Sequence, residues 1–380
     1  MRTLSPRERV LTALSLEEPD RVPLDLGGSA SNMTDPVYFK VKNLLGIKGD
    51  VPPYRTGRTC NYYDERVFDA LDIDFRWVSL KGLRNAHGLV APDGTYTDEW
   101  GIGYRRMALQ AGSVGHPLAH ASIDDLEVYR WPDPRAPGRD EGLEEHAGFL
   151  YGQTEYAIAA RPTPDFGVFE MCCALRGDAQ YLMDLANDKP FARRLAQRIT
   201  CVLKGFCGVL LDAAGPYLHM GQYSGDYGTQ HSMIMSPDMY REMMKPFDKE
   251  IILFIKERAP QVKLMHHSCG AILPIMPDLI EIGVDVLNPL QPLAANTDSA
   301  RIKAQFGDRL CFHGAIDIQR ALPGTLEDVE RESRTRLAAL APGGGYIVAP
   351  SNYIQPDVPP ANVVELYRLA AKLGRYPLAL

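Results

Sequence analysis

The chain has no apolar run approaching the ~20 residues that span a bilayer. Its first ten residues, MRTLSPRERV, place no apolar core behind their charges, so a secretory signal is not expected. Basic residues are outnumbered: 41 Lys and Arg stand against 48 Asp and Glu, for a net charge of −7 and a pI of about 5.8. Without a basic patch, nucleic acid is not an expected partner, and neither is a membrane. No G-x-G-x-x-G opens a helix, and Gly27-Gly28-Ser29 is too short for a phosphate loop. There is no internal repeat or low-complexity stretch. The seven cysteines (Cys60, Cys172, Cys173, Cys201, Cys207, Cys269, Cys311) are odd in number and scattered. That argues against a disulfide framework and for a reducing compartment, with a cytoplasm as the default.

The 380 residues are 45% hydrophobic and 23% charged, enough for a large core. Ser5, Pro6 and Glu8 carry helix-start signals for an amphipathic helix over 5–16, ended by Pro19-Asp20. Arg21 to Gly28 reads as a short strand running into a Gly-rich turn. Helical patterns fill 35–71. Val90 to Arg106 alternates around Pro92-Asp93-Gly94 and Glu99-Trp100-Gly101, a hairpin signature. Ile123–Arg130 reads as a short helix and Arg135–His146 as a mobile loop. Beyond residue 150, apolar runs at Tyr156–Ala160, Tyr217–Tyr223, Val262–His267, Val284–Leu290, Leu310–Gly314 and Tyr346–Pro350 alternate with helical stretches. With Val22–Leu26 and Phe75–Val78 this makes about eight parallel strands, the number a (β/α)₈ TIM barrel needs. The expected organisation is one such domain over 1–380, with an N-terminal helical segment and a less regular helical and hairpin insertion over 30–150.

In a barrel, chemistry gathers where strands end. The ends here carry Asp25; Arg161, with Glu170 in the loop beyond; Asp226; His267 and Cys269; Asn288 and Gln291; His313; and Asn352 with Tyr353. The densest of these is KLMHHSCGAI, Lys263–Ile272. His267 and Cys269 are two apart, so an extended chain points both to one face. Such a pair can be half of a zinc site, a nucleophile with its base, or a buried thiol beside a hydrogen-bonded histidine. Adjacent Cys172-Cys173 reads as core packing, and His116, His219 and His231 as structural.

Several blocks carry a resemblance: RERVLTALSLEEPDRVPLDLGG (Arg7–Gly28), GDYGTQ (Gly225–Gln230), HSCGAILPIMPDLIEIGVDVLNPLQ (His267–Gln291), FGDRLCFHGAID (Phe306–Asp317) and APGGGYIVAPSNYIQPDVPP (Ala341–Pro360). Together they resemble the uroporphyrinogen decarboxylase superfamily, and more narrowly its corrinoid-dependent methyltransferase branch. True decarboxylases of that superfamily carry an Arg-rich N-terminal block for a polycarboxylate; this chain has PLDLGGSASNMT (Pro23–Thr34) instead.

The resemblance implies zinc held by His267 and Cys269 as a Lewis acid. It also implies methyl transfer between a small methylated (O-, N- or S-methyl) donor, or a thiol acceptor, and a corrinoid. The chain has no D-x-H-x-x-G motif, so the corrinoid is expected on a partner protein. His267, Asp226 and Glu170 are the expected catalytic residues. Asp25, Arg161, Asn288, Gln291, His313, Asn352 and Tyr353 are the expected substrate contacts. A homodimer is compatible with this reading. The branch takes a third zinc ligand from a late cysteine, where this chain has Asn352, a poor zinc donor. Asp226, Glu170, His313, Cys311 or the substrate is then left to complete the site, or the metal is absent and His267 works as an acid or base. The alternative is a metal-free decarboxylase of a carboxylated substrate.

Overall fold

The structure, a computed structural model, describes residues 3–28, 30–54, 59–82, 91, 93–106, 111–161 and 166–379. Seven parallel strands form one curled sheet in the order β1 (Phe75–Ser79), β5 (Ala157–Arg161), β6 (Met220–Ser224), β7 (Lys263–His267), β8 (Val286–Asn288), β9 (Cys311–Ile316) and β10 (Tyr346–Pro350). Helices between consecutive strands cover its outer face, as parallel pairing requires. The TIM-barrel expectation holds.

The eighth stave is not a regular strand. Residues 21–25 lie between β10 and β1 and join them by few bonds. On one side Leu24 bridges Val348, with Asp25 N–H donating to Val348 O and Val348 N–H to Pro23 O, both at 2.9 Å. On the other, Asp74 N–H donates to Leu24 O at 2.9 Å, and Leu24 N–H donates to the Asp74 carboxylate at 2.8 Å. Pro23 has no N–H to continue a ladder, so a side chain takes over part of the pairing. Asp74 is buried, and its charge is met by Arg9 at 2.6 Å and Arg21 at 2.8 Å.

The first helix, Pro6–Leu14, begins as expected with a Ser5–Glu8 capping box. Its Val10 and Leu14 pack on Phe75, Ala157, Met220, Cys311 and Ile347, which sit at or next to the starts of their strands. The helix therefore plugs the N-terminal mouth of the barrel and leaves the C-terminal mouth for chemistry. Cys311 belongs to this apolar layer. It is fully buried, and burial pushes its thiol up to about 12. It packs at the end of the barrel opposite the strands' C-terminal ends, so it is not placed to complete a site with His267 and Cys269.

Several local expectations shift. The hairpin is present as β2 (Thr95–Thr97) and β3 (Gly103–Arg106), and β4 (Ala111–Gly115) adds a third antiparallel strand. Its tight turn is made by Asp98–Gly101, where Asp98 accepts from Trp100 N–H and Ile102 N–H. Val90 and Pro92 of the expected hairpin lie outside the described residues. The loop expected over 135–146 gives its last four residues to a helix, Leu143–Gln153. Glu170 is not in a loop: it is in the first turn of the helix Val168–Arg176. Among the described residues, one helical stretch, Lys189–Tyr217, is long and apolar enough to cross a membrane, with a mean hydropathy of 1.4. Two-thirds of it is buried in the fold (67%), which makes it the apolar helix of a covered sheet.

The closure at Asp74 yields a test. Asp74→Ala removes the buried carboxylate that Arg9 and Arg21 share, leaving them Asp20 and Asp72, and removes the acceptor for Leu24 N–H. It is expected to cost about 3 kcal/mol or more, read as a lowered urea midpoint. A midpoint within error of the parent would show that the eighth stave closes without it.

Candidate functional site

Asp226 lies two residues beyond β6, and Cys269 two beyond β7; His267 is the last residue of β7. Two glycines allow the two loops to touch. A Cβ on Gly228 would lie 2.6 Å from Cys269 O and 2.8 Å from Ala271 N. Gly270 is left-handed (φ +83), and a Cβ there would lie 2.5 Å from the Gly228 carbonyl carbon. Only glycine at both positions permits this backbone crossing. The crossing brings Asp226 Oδ1 to 2.7 Å from Cys269 N–H, which donates to it, and to 3.6 Å from His267 Nε2. His267 Nε2 is 3.5 Å from Cys269 Sγ. One ligand atom each from Asp226, His267 and Cys269 lies within 4.8 Å of the others.

Behind His267 runs a buried chain of hydrogen bonds. Asp25 Oδ1 accepts from Trp77 Nε1–H at 2.9 Å and from Gly27 N–H at 3.2 Å. Its Oδ2 is 2.8 Å from His313 Nε2. His313 Nδ1 is 2.7 Å from Asn288 Nδ2, and Asn288 Oδ1 is 2.6 Å from His267 Nδ1. The directions follow from chemistry. A carboxylate accepts, so His313 carries its proton on Nε2 and offers the Nδ1 lone pair to the Asn288 amide N–H. The Asn288 oxygen then accepts from His267 Nδ1–H. The His267 Nε2 lone pair is thereby left facing Asp226 and Cys269. Asp25, Asn288 and His313 are all buried, and their side-chain polar atoms are taken up by this chain and its anchors Trp77 and Gly27.

Other residues support the trio. Asn352 Nδ2–H donates to Cys269 Sγ at 3.3 Å, while its Oδ1 accepts from Tyr353 N–H at 2.7 Å. The amide is thus turned with its donor to the sulfur. Burial, with Asp226 beside it, pushes the Cys269 thiol well up in the metal-free chain. Glu170 Oε1 accepts from Asp226 N–H at 3.0 Å; its Oε2 is enclosed with no hydrogen-bond partner among the described residues. Burial and the neighbouring Asp226 charge push the Glu170 carboxyl up to about 8. Gln291 Oε1 accepts from Gly270 N–H at 2.8 Å, which fixes the turn after Cys269. Tyr353 contributes backbone contacts, including its carbonyl at 3.3 Å from Gln355 Nε2. Arg161 ends β5 and lines a separate cavity.

The structure therefore brings Asp226, His267, Cys269, Glu170 and Asn352 together, with Asn288, His313 and Asp25 behind them. Trp77, which anchors Asp25, was not expected from the sequence, because a tryptophan within a strand reads as packing. His219 Nδ1 accepts from Ile158 N–H at 2.9 Å, and burial lowers its pKa to about 4, a structural role as expected.

The donor set fits a metal. Imidazole nitrogen, thiolate sulfur and carboxylate oxygen are the three donor types zinc prefers. The His267 lone pair is aimed by the kind of outer hydrogen bond that orients ligating histidines.

Comparison with known proteins gives two kinds of likeness. The family model described as Uroporphyrinogen decarboxylase (URO-D) matches residues 167–373. A curated uroporphyrinogen decarboxylase of Chlorobium phaeovibrioides is 25% identical over 182 residues, covering 47% of this chain and 48% of that one. One from Chlorobium phaeobacteroides is 29% identical over 134 residues, or 34% of this chain and 36% of that one. The match thus spans about half or less of these relatives' lengths. Among solved structures, a methyltransferase from Methanosarcina mazei aligns with a TM-score of 0.64 at 16% identity, covering 97% of this chain and 99% of that one. At that identity the likeness is one of fold.

Two variants probe this geometry. In Asp25→Asn the amide N–H₂ turns toward His313, because the Trp77 and Gly27 donors hold the oxygen. His313 then switches tautomer, Asn288 flips, and His267 carries its proton on Nε2. Nitrogen NMR of the imidazoles is expected to show that exchange; an unchanged His267 tautomer would refute the chain. Gly228→Ala is expected to part the two loops and break the bond from Cys269 N–H to Asp226, read as faster hydrogen exchange of the Cys269 amide, and an unaltered exchange rate would show that the crossing is not required.

Proposed function

Because the chain belongs to the uroporphyrinogen decarboxylase (URO-D) family, we propose that it is the kind of member that moves methyl groups. In this reading it transfers a methyl group between a small O-, N- or S-methylated substrate, or a thiol, and the corrinoid of a partner protein. The observation that carries the reading is the convergence of Asp226, His267 and Cys269 within 4.8 Å at the open mouth of the barrel. Zinc held by these three residues would supply Lewis acidity to the heteroatom that releases or receives the methyl group. Asp226 takes the place of the late cysteine, and Asn352 becomes the hydrogen-bond donor to the Cys269 sulfur.

The residues have distinct tasks. His267 offers Nε2 and is kept from rotating by Asn288. Asp25 and His313 set the direction of that hydrogen bond. These three, first expected as substrate contacts, act as positioning residues. Glu170 holds the Asp226 backbone through Oε1; with its proton retained, it adds no second negative charge behind Asp226. Cys269, with a burial-raised thiol, needs both a cation and the Asn352 N–H to stay ionised.

The names of the curated relatives favour a second reading, decarboxylation of a carboxylated substrate without metal. A polycarboxylate requires several converging cations. Around the cavity that Arg161 lines, Arg139 and Lys81 are already engaged by Glu99 and Glu141.

Elemental analysis of the purified chain is expected to find about one zinc per chain. His267→Ala and Cys269→Ala should abolish it, and Asp226→Ala should weaken it. Methyl transfer to a supplied corrinoid protein should fall with the metal. Undiminished transfer after stripping zinc and replacing both His267 and Cys269 would defeat the zinc reading. Release of CO₂ without any corrinoid would favour the second.

A further inference from the structure

Next to the Asp226–His267–Cys269 sector, the same rim holds a cavity of about 480 Å³. It lies where the 21–25 stave, β1 and β5 end. Gly27, Trp77 and Arg161 line it, with Tyr54 and Tyr63 from the chain before β1. Its aromatic walls are fixed. A Cβ on Gly27 would lie 2.3 Å from Trp77 Cδ1, so only glycine lets the indole settle against this backbone. The indole N–H is held by Asp25 at 2.9 Å. Tyr63 is tied by its hydroxyl, which accepts from Trp77 N–H at 2.8 Å, and its ring meets that of Tyr54 edge-on at 6.3 Å.

The charges lining the cavity do not all cancel. Arg139 pairs with Glu99, and Lys81 lies 3.3 Å from Glu141. Glu65 lies 3.9 Å from Arg76. Arg161 is half-buried and lines the cavity, and its guanidinium has no hydrogen-bond or ion-pair partner among the described residues. A half-buried guanidinium gains most from a planar two-oxygen anion, which it meets with two parallel N–H donors. Aromatic walls favour a flat, polarisable body. The volume suits a single-ring molecule.

We propose that this cavity binds a planar, conjugated carboxylate, with the carboxylate on Arg161 and the ring against Trp77 and Tyr63. The binding stands on this geometry alone; its part in catalysis rests on the methyl-transfer reading. There, the cavity holds the acid end of the substrate. β5, which ends in Arg161, pairs with β6, which leads to Asp226. The methyl-bearing end would then extend one stave over, toward the donor trio.

The test uses benzoate as the probe in isothermal titration calorimetry on the full chain. Saturable binding is expected, weakened by about tenfold or more in Arg161→Gln and by less in Arg161→Lys. Cyclohexanecarboxylate, with the charge but no flat ring, and benzyl alcohol, with the ring but no charge, should each bind more weakly than benzoate. Circular dichroism on both variants checks that they fold, and Arg161→Lys carries the comparison if Arg161→Gln does not. Equal benzoate affinity in parent and folded variant, or no saturable benzoate binding, overturns the proposal. Cyclohexanecarboxylate binding as tightly as benzoate overturns its planar part. Zinc is measured on the same samples: benzoate binding without zinc counts against the methyl-transfer reading and for this site. Zinc with no benzoate binding does the reverse.

Discussion

The orientation of the imidazole at the barrel mouth depends on one acceptor, the buried carboxylate of Asp25. A hydrogen-bond chain built from imidazole and amide groups has two directions that are equal in the isolated parts. Asp25 breaks the tie, because Trp77 and Gly27 already donate to one oxygen and His313 lies 2.8 Å from the other. The choice passes through Asn288 to His267 without any moving part. An unsatisfied group inside a dry interior is costly, so the wrong tautomer would strand at least one donor against another. The direction of the His267 lone pair is thus set on the far side of the barrel by a residue of the 21–25 stave.

The second constraint is steric. Asp226 and Cys269 belong to different loops, and side-chain length alone would not bring them together. Gly228 and Gly270 let the backbones touch, and the Cys269 amide then grips Asp226 at 2.7 Å. Asn352 arrives from a third loop and turns its donor to the sulfur.

Much of this could be read in the chain, and the failures have physical causes. Alternating apolar runs and helices announced the parallel barrel, because buried parallel strands are apolar on both faces. His267 and Cys269 stood out through period-two spacing. Asp226 was visible as a carboxylate after a strand, but its meeting with Cys269 depends on a loop crossing between residues more than forty positions apart, as the 43-residue separation of their hydrogen bond shows. Asp25 and His313 were picked out as rim residues and turned out to face each other, since sequence spacing carries no information about contact across a closed sheet. Trp77 gave no sign, because a tryptophan that holds a carboxylate and one that only fills space look alike in a strand. Val22–Leu26 reads as a strand in the sequence; Pro23 and the Asp74 carboxylate make this stave something less regular.

The closure of the barrel bears on the order of folding. Asp25 is 288 residues from His313 and 342 from Tyr367, whose hydroxyl donates to its carbonyl at 2.8 Å. Contacts of such separation pay their loop-closure entropy last and slow the search for the native state. The loop crossing at Gly228 and Gly270 is local by comparison and can form once β6 and β7 pair. Cys269 and Asp226 can therefore meet early, while the imidazole between them acquires its orientation only when the first and last segments of the chain come together. A metal captured before that moment would be held by two aligned groups and one free to turn.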